Sequence, residues 1–554
     1  MSFSILAAAS TDDQVIEALT ENLQLLGPEM ILGLAACVLF VGTSFRASRR
    51  LWGSVALVAL ALAGLTLCLT LPASMTRKPA EVFASPLLFD GLAILIKAVA
   101  LAAGIVLVLL SWDEVPDRQA GEYHGCLLII VAGLCLTGAA NEMVTLFLAL
   151  ELTSIPTYVV LYLPRHDSAS QEAALKYFLL SVFSSALLLL GFSYLYGLSG
   201  TTNLAVLMEA FTHTRQHGSV GAAANLPVLA QVALIVVVAG LGFKITAVPF
   251  HFYAPDVYQG APTSGAALLA FVPKVAGFTA LLRVLGFVLP TSVLHEPGAL
   301  IGRALSDQVP ILLWILAAVT MFMGNLLALL QSNIKRMLAY SSVAHAGYML
   351  VGLAAAPYLS DEAVARPGGA LPPGGVEATL FYLVAYGAMT IGAFAVITYL
   401  STPQRPVETV DDLAGLSRSH PGVALLMLVF LFSLIGIPLT GGFTGKFMLF
   451  MNAMAVPHHE ALFVVLALLL ALNAAVGGWY YLRIVAVMYL RNALKPIEKK
   501  RSWPGLAALW ICAVVTIGLG FNPGTRWLLN GTRAAAAGAD VTSGGKAEPA
   551  GAER

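Results

Sequence analysis

The sequence predicts an all-α integral membrane protein of about fourteen transmembrane helices, and three observations carry that prediction. Of 554 residues, 58% are hydrophobic and only 11% are charged, where a soluble domain carries roughly a quarter. Mean hydropathy is +0.84. Apolar stretches long enough to cross ~30 Å of hydrocarbon recur from one end to the other.

In chain order, helices are predicted over 27–45, 51–72, 88–110, 123–140, 142–163, 172–198, 227–250, 261–290, 309–331, 334–356, 376–400, 420–451, 460–490 and 505–529. Residues 1–122 hold the first three of them. The N-terminal stretch lacks a basic region and carries four acids, so it does not read as a cleaved secretory signal. The polar, Gly/Ala-rich stretch 530–554 reads as a disordered tail. Formal net charge is zero, which points to no nucleic acid or acidic partner. Five cysteines (Cys37, Cys68, Cys126, Cys135, Cys512) form no CxxC pair and read as small apolar residues of the bundle.

Basic residues set the orientation. One set of loops holds fourteen, from Arg46 to Arg501; the opposite set holds Arg77, Lys78, Arg215, Arg303 and Arg366. The richer set is expected in the cytoplasm, and an even helix count then leaves both termini outside.

The chain also repeats itself. "EAALKYF" from Glu172 and "EATLFYL" from Glu377 each open a helix. In the next predicted helix after each, numbers 7 and 12, the apolar run breaks at a proline: "KITAVPFHF" around Pro249 and "LIGIPLTGGFTGKF" around Pro438, with Gly441 and Gly442 following. Helices 4–8 (123–290) therefore read as one copy and helices 9–13 (309–490) as a second. Five spans is an odd number, so the second copy is inserted upside down. Inverted repeats with interrupted helices mark ion-translocating membrane proteins.

An ionisable side chain at mid-membrane costs roughly 2.5–3.5 kcal/mol on insertion scales, so its presence asks for a task or a partner. The candidates are Lys97, Glu151, Lys244, Lys274, Arg283, Lys446 and Arg483. Glu151, Lys244, Lys274 and Lys446 suggest a line of proton sites. A lysine suits this role because burial disfavours its charged form and a nearby carboxylate favours it, whereas arginine stays charged throughout. Arg283 and Arg483 read better as ion pairs or interfacial side chains. Asp90 offers Lys97 a local partner. Proline has no N–H and its ring clashes with the carbonyl four residues back. Pro249 is thus expected to free carbonyls one turn from the Lys244 amine, and Pro438 to make the matching gap before Lys446. Non-helical backbone at that depth is tolerated only where it is buried in protein or lines a wet cavity. His345, in "AYSSVAHAGYMLVG" behind Tyr340, Ser341 and Ser342, could shuttle protons near neutral pH. His251 and Asp256, after the first break, read equally well as interface residues.

"GFKITAVPFHFYAPDVYQGAPT", "YSSVAHAGYMLVGL" and "IGIPLTGGFTGKF" together resemble the antiporter-like subunits of bacterial respiratory complex I, the proton-pumping NADH:quinone oxidoreductase. The likeness covers essentially every helix through residue 530. "PFHFYAPDVYQGAP" replaces the "PLHxWLPDAH" of subunits L and M, and "GPEM" at Gly27–Met30 also resembles the subunit N branch. The resemblance implies a Glu151–Lys244 pair, a connecting Lys274, a central His345 and a distal Lys446, together forming a proton relay. It implies a bacterial inner-membrane location and, as partners, lipids and the other membrane-arm and peripheral-arm subunits. NADH, FMN, iron–sulfur clusters and quinone are expected in the complex, and no cofactor in this chain. Alternatives in other classes are a cation/proton antiporter subunit of the Mrp type, a membrane-bound hydrogenase arm, and a structural scaffold.

Overall fold

The computed structural model describes residues 25–45, 48–75, 86–165, 167–204, 206–207, 228–286, 303–359, 374–402, 406–456, 460–493 and 502–539. Inside a bilayer every backbone N–H and C=O must find its partner within the protein, which favours helices. Among the described residues the regular structure is helical, with isolated bridges and no strand. In chain order the helices are α1 (Gly27–Thr43), α2 (Arg49–Met75), α3 (Gly91–Ser111), α4 (Ala120–Ala139), α5 (Met143–Tyr162) and α6 (Ser168–Ser199). Then come α7 (Val228–Lys244), α8 (Ala254–Gly260), α9 (Thr263–Leu285), α10 (Arg303–Leu329), α11 (Ile334–Ala355) and α12 (Gly375–Leu400). The chain closes with α13 (Pro421–Ile435), α14 (Gly441–Met454), α15 (Glu460–Leu490), α16 (Trp503–Gly518) and α17 (Asn522–Ala539). Ten are long and apolar enough to cross a membrane, or eleven if the bent pair α16 and α17 counts as one span.

Polar side chains close several helix starts. Asp90 accepts from the Ala93 N–H at α3, Asp167 from Ser170 at α6, Asn333 from Arg336 at α11 and Ser502 from Gly505 at α16. Such caps satisfy backbone donors that have no partner in the helix. The interior is built around α9, whose apolar window is wholly buried, flanked by α11 and α12, which are nearly so. By contrast α2, α6, α10 and α15 bury little more than a third of theirs, and carry the leucines and valines that face outward.

Both predicted breaks are present, with shifted bounds. α7 stops at Lys244; Thr246 takes a left-handed φ of 59°, and the chain turns through Pro249 into the short α8. The helix predicted over 420–451 is two helices, α13 and α14. Between them Gly436 (φ 95°) and Leu439 (φ 72°) carry the chain around Pro438. Glycine is required at 442 for another reason: a Cβ there would lie 1.9 Å from the Ser433 carbonyl oxygen.

The C-terminal expectation fails. α16 ends at Gly518, not near 529, and the chain bends by 88° into α17, which runs to Ala539. Residues 530–539 of the expected disordered tail are therefore helical, because Leu528, Thr532 and Ala535 form a buried face and α17 packs against α3 and α12. The rest of that tail, 540–554, lies outside the described residues, as does the N-terminal stretch before Leu25.

Candidate functional site

α5 places Glu151 beside the side chains of α5 that face outward, and the neighbouring α6 supplies Ser185, whose hydroxyl donates to the Glu151 carboxylate. From α7 the Lys244 ammonium reaches in, 3.9 Å from Glu151 Oε1 and 2.6 Å from Ser154 Oγ. Lys244 is 5% exposed and Glu151 17%. Two opposite unit charges ~4 Å apart attract by about 4 kcal/mol at an effective dielectric of ~20. Each member also holds a neutral serine partner, so the pair can loosen without leaving either group unsolvated.

Lys274 is fully buried in α9. Its amine donates to the Ile245 carbonyl at 3.2 Å and to the Thr246 hydroxyl. The carbonyl exposed by the Pro249 break is thus taken by Lys274, where the sequence pointed to Lys244. α9 can approach that closely because residue 277 is glycine: a Cβ would lie 2.5 Å from the Ile245 side chain. At the second break the pattern recurs. Lys446 of α14 donates to Leu434 O at 2.7 Å and Ile435 O at 3.1 Å, the last carbonyls of α13. Neither Lys274 nor Lys446 forms an ion pair among the described residues. Each is an amine solvated by backbone that a proline has opened.

Between these lysines His345 lies buried in α11, with Nδ1 2.5 Å from the Tyr382 hydroxyl and Nε2 3.1 Å from the Tyr481 hydroxyl. The Tyr348 ring touches the imidazole edge-on, with centroids 5.3 Å apart, and the Lys446 amine sits 4.8 Å over the same ring. Tyr348 accepts from Asn325 at 2.9 Å. Further hydroxyls extend the cluster: Ser341 bonds Tyr481, and Ser342 joins Tyr386 at 2.8 Å to Tyr258 at 3.5 Å. Sequence reasoning passed over these tyrosines and Asn325. The signal was there: Tyr382 and Tyr386 repeat at helical spacing in an otherwise apolar α12, opposite the "YSSVAH" face of α11. Buried hydroxyls of this kind need partners.

The other charged candidates fall outside this line. Lys97 pairs with Glu29 at 2.8 Å, not with Asp90. Asp90 is taken by Arg283 at 2.6 and 2.7 Å, as an ion-pair reading of that arginine expects. Arg483 is exposed and donates to the Gln331 carbonyl at 3.4 Å. Asp256 on α8 accepts from Lys176 at 3.0 Å and Arg336 at 2.6 Å. Burial would raise its carboxyl, but those two hydrogen bonds outweigh burial and hold it below the ordinary carboxylate value. His251 is half-buried beside the first break.

A family profile described as "NADH:quinone oxidoreductase/Mrp antiporter, TM" matches residues 140–471. The chain is 38% identical over 513 residues to "NADH-quinone oxidoreductase subunit N 1" of Solibacter usitatus (strain Ellin6076), covering 91% of this chain and 94% of that one. Among solved structures it matches a chain of respiratory complex I from Thermus thermophilus with bound aureothin, at TM-score 0.69 and 30% identity. That match covers 90% of this chain and 97% of the other. A chain of the Mrp complex from Dietzia sp. DQ12-45-1b superposes with TM-score 0.74 at 18% identity, over 95% and 98% of the two chains, a likeness of fold.

Proposed function

The chain belongs to the NADH-quinone oxidoreductase subunit N family, and from that premise we propose that Glu151, Lys244, Lys274, His345 and Lys446 form its proton route. As a member of that family it is a membrane subunit of the proton-translocating oxidoreductase, working among the other subunits of the complex. NADH, FMN, iron–sulfur clusters and quinone belong to that complex in this reading, and the chain lies in the bacterial inner membrane with both termini outside.

The observation that carries the route is the shared arrangement at the two breaks, where a buried lysine is solvated by carbonyls that the helix has given up. Such an amine is held at modest cost in either protonation state. Between them His345 has a hydroxyl on each ring nitrogen, so a proton accepted on one side can leave from the other. Charge shifts elsewhere in the complex tighten or loosen the Glu151–Lys244 pair. Lys244 then changes its hold on its proton, which passes by Lys274 and His345 toward Lys446. No hydrogen bond joins Lys274 to His345 among the described residues, and in this route a bridging water carries the proton between them. Moving one charge against 100 mV costs about 2.3 kcal/mol, which a shift of about two pKa units at ~1.4 kcal/mol each can supply.

The inverted repeat is supported by matching backbone bridges. Met143 N–H donates to Thr202 O and Leu204 N–H to Asn141 O; in the second half Ile334 N–H donates to Glu408 O and Val410 N–H to Ser332 O. Residues 123–290 and 309–490 are read as the two copies, after three N-terminal helices. Ten helices pass by length; counting the bent pair α16 and α17 as one span and adding the three shorter apolar helices, two of them cut off at the breaks, gives fourteen.

The test is Lys244→Ala in the assembled complex reconstituted into liposomes. NADH oxidation is expected to persist while proton pumping is lost. Full pumping in that variant would overturn the route.

A further inference from the structure

α3 lies outside the proton route, yet its two ends hold the two ends of α9. At its start, Asp90 receives both terminal nitrogens of Arg283, two residues before the end of α9. Arg283 Nε also donates to Gly138 O at 3.1 Å, at the end of α4. Just past the other end of α3, the Glu114 carboxylate accepts the Thr263 and Ser264 N–H groups, both at 2.8 Å, at the first turn of α9. Lys335 closes the same corner by donating to Ala261 O at 2.8 Å. The two helices are thus antiparallel and tied at both ends over about 30 Å, the length of twenty residues at ~1.5 Å each. Lys274 sits near the middle.

We propose that α3 is a splint for α9, and that Asp90 and Glu114 are positioning residues that set the axial register of Lys274 against the first break. Between its ends α9 meets its neighbours mainly through apolar side chains, with Lys274 and Thr279 the polar exceptions, and at its start the Ser264 hydroxyl also bonds Tyr123 at 3.0 Å. Directional bonds such as these resist an axial slide more sharply than apolar contact alone. The register matters because the Lys274–Ile245 bond is already 3.2 Å long, and at about 3.6 Å it would cease to be one. Gly277 lies against Ile245 with no space to spare, so a slide would also break that contact.

The proposal rests on the reading of Lys274 as a relay group, and the experiment separates the two. Complexes carrying Glu114→Leu, Glu114→Gln, Asp90→Asn and Lys274→Met are reconstituted. NADH oxidation, protons moved per electron, and the pH profile of pumping are measured in each. In Glu114→Leu and Asp90→Asn, oxidation should stay within about twofold of wild type. The proton ratio should fall to the level of Lys274→Met, and the pH profile should be displaced, since a small misplacement of a working group costs up to ~100-fold in rate. Glu114→Gln keeps one acceptor oxygen and should recover at least half of the lost ratio. A wild-type ratio and profile in Glu114→Leu, with pumping lost in Lys274→Met, overturns the splint alone. A wild-type ratio in Lys274→Met overturns the relay reading beneath it. If Glu114→Leu does not assemble, Glu114→Asp takes its place, drawing the tie back by one methylene. A lowered ratio or displaced profile there supports the splint, and wild-type behaviour sinks it.

Discussion

At the scale of single residues, the route depends on amines that can let go of a proton. Lys446 makes the point most sharply, because two features of it can be separated by one substitution. Its charge caps Leu434 O and Ile435 O; its chemistry allows release. Arginine keeps the first and removes the second, since its guanidinium does not deprotonate in proteins. Lys446→Arg should therefore assemble with normal subunit content and pump no protons. Retained pumping, measured as acidification on NADH addition, would mean that Lys446 serves only to cap α13. The lysines, Glu151 and His345 were legible in the sequence because ionisable groups stand out against apolar runs. Apart from the Glu151–Lys244 pair, which the family resemblance implies and which stands at 3.9 Å, their partners were not. Glu29, Ser154, Ser185 and Tyr481 come from other helices, and one chain read alone carries no distance between helices. Lys97 shows the error this causes: Asp90 is near in sequence, but Glu29, sixty-eight residues away in the chain, holds the amine.

At the scale of elements, the prolines announced both breaks, while the bounds and the bonding around them came from packing. A sequence pattern cannot say that Thr246 and Leu439 adopt left-handed backbone, nor that Lys274 rather than Lys244 takes the Ile245 carbonyl. The second break is set by contact as much as by Pro438. The Gly442 N–H donates to Ser433 Oγ at 3.1 Å, and α14 folds back so closely that no side chain fits at 442. Gly442→Ala should destabilise this hairpin of half-helices by about 1–3 kcal/mol through overpacking. A thermal midpoint of the purified complex unchanged from wild type would show that the close approach relaxes without cost. α17 was missed for a different reason. Its Gly/Ala-rich composition reads as disorder, although Leu528, Thr532 and Ala535 stand at four- and three-residue spacing, which is a helical face. Gly91 permits its docking, since a Cβ there would lie 2.2 Å from Ala534 O.

At the scale of the whole molecule, the question is whether the first break, the central histidine and the second break act in series or as separate sites. The contacts favour series. Tyr348 touches both His345 and the Lys446 amine, and α9, with Lys274, packs on both α7 and α12, the helices that bear Lys244 and the histidine's partner Tyr382. In a serial path the slowest step sets the throughput, whereas separate routes add their fluxes, so the losses of two variants sum. Two mild changes far apart distinguish these cases: Glu151→Gln, which weakens the hold on Lys244, and Tyr382→Phe, which strips one hydroxyl from His345. Each single variant should pump at a reduced but measurable rate. In series, the double variant should pump at nearly the rate of the slower single, a non-additivity worth about 0.5–3 kcal/mol in the usual range for coupled sites. Rates of proton uptake per complex in liposomes, taken at matched NADH oxidation, give the cycle directly. A double variant whose lost pumping rate equals the sum of the two single losses would show that the ends of the molecule work separately, and the single route from Lys244 to Lys446 would then have to be abandoned.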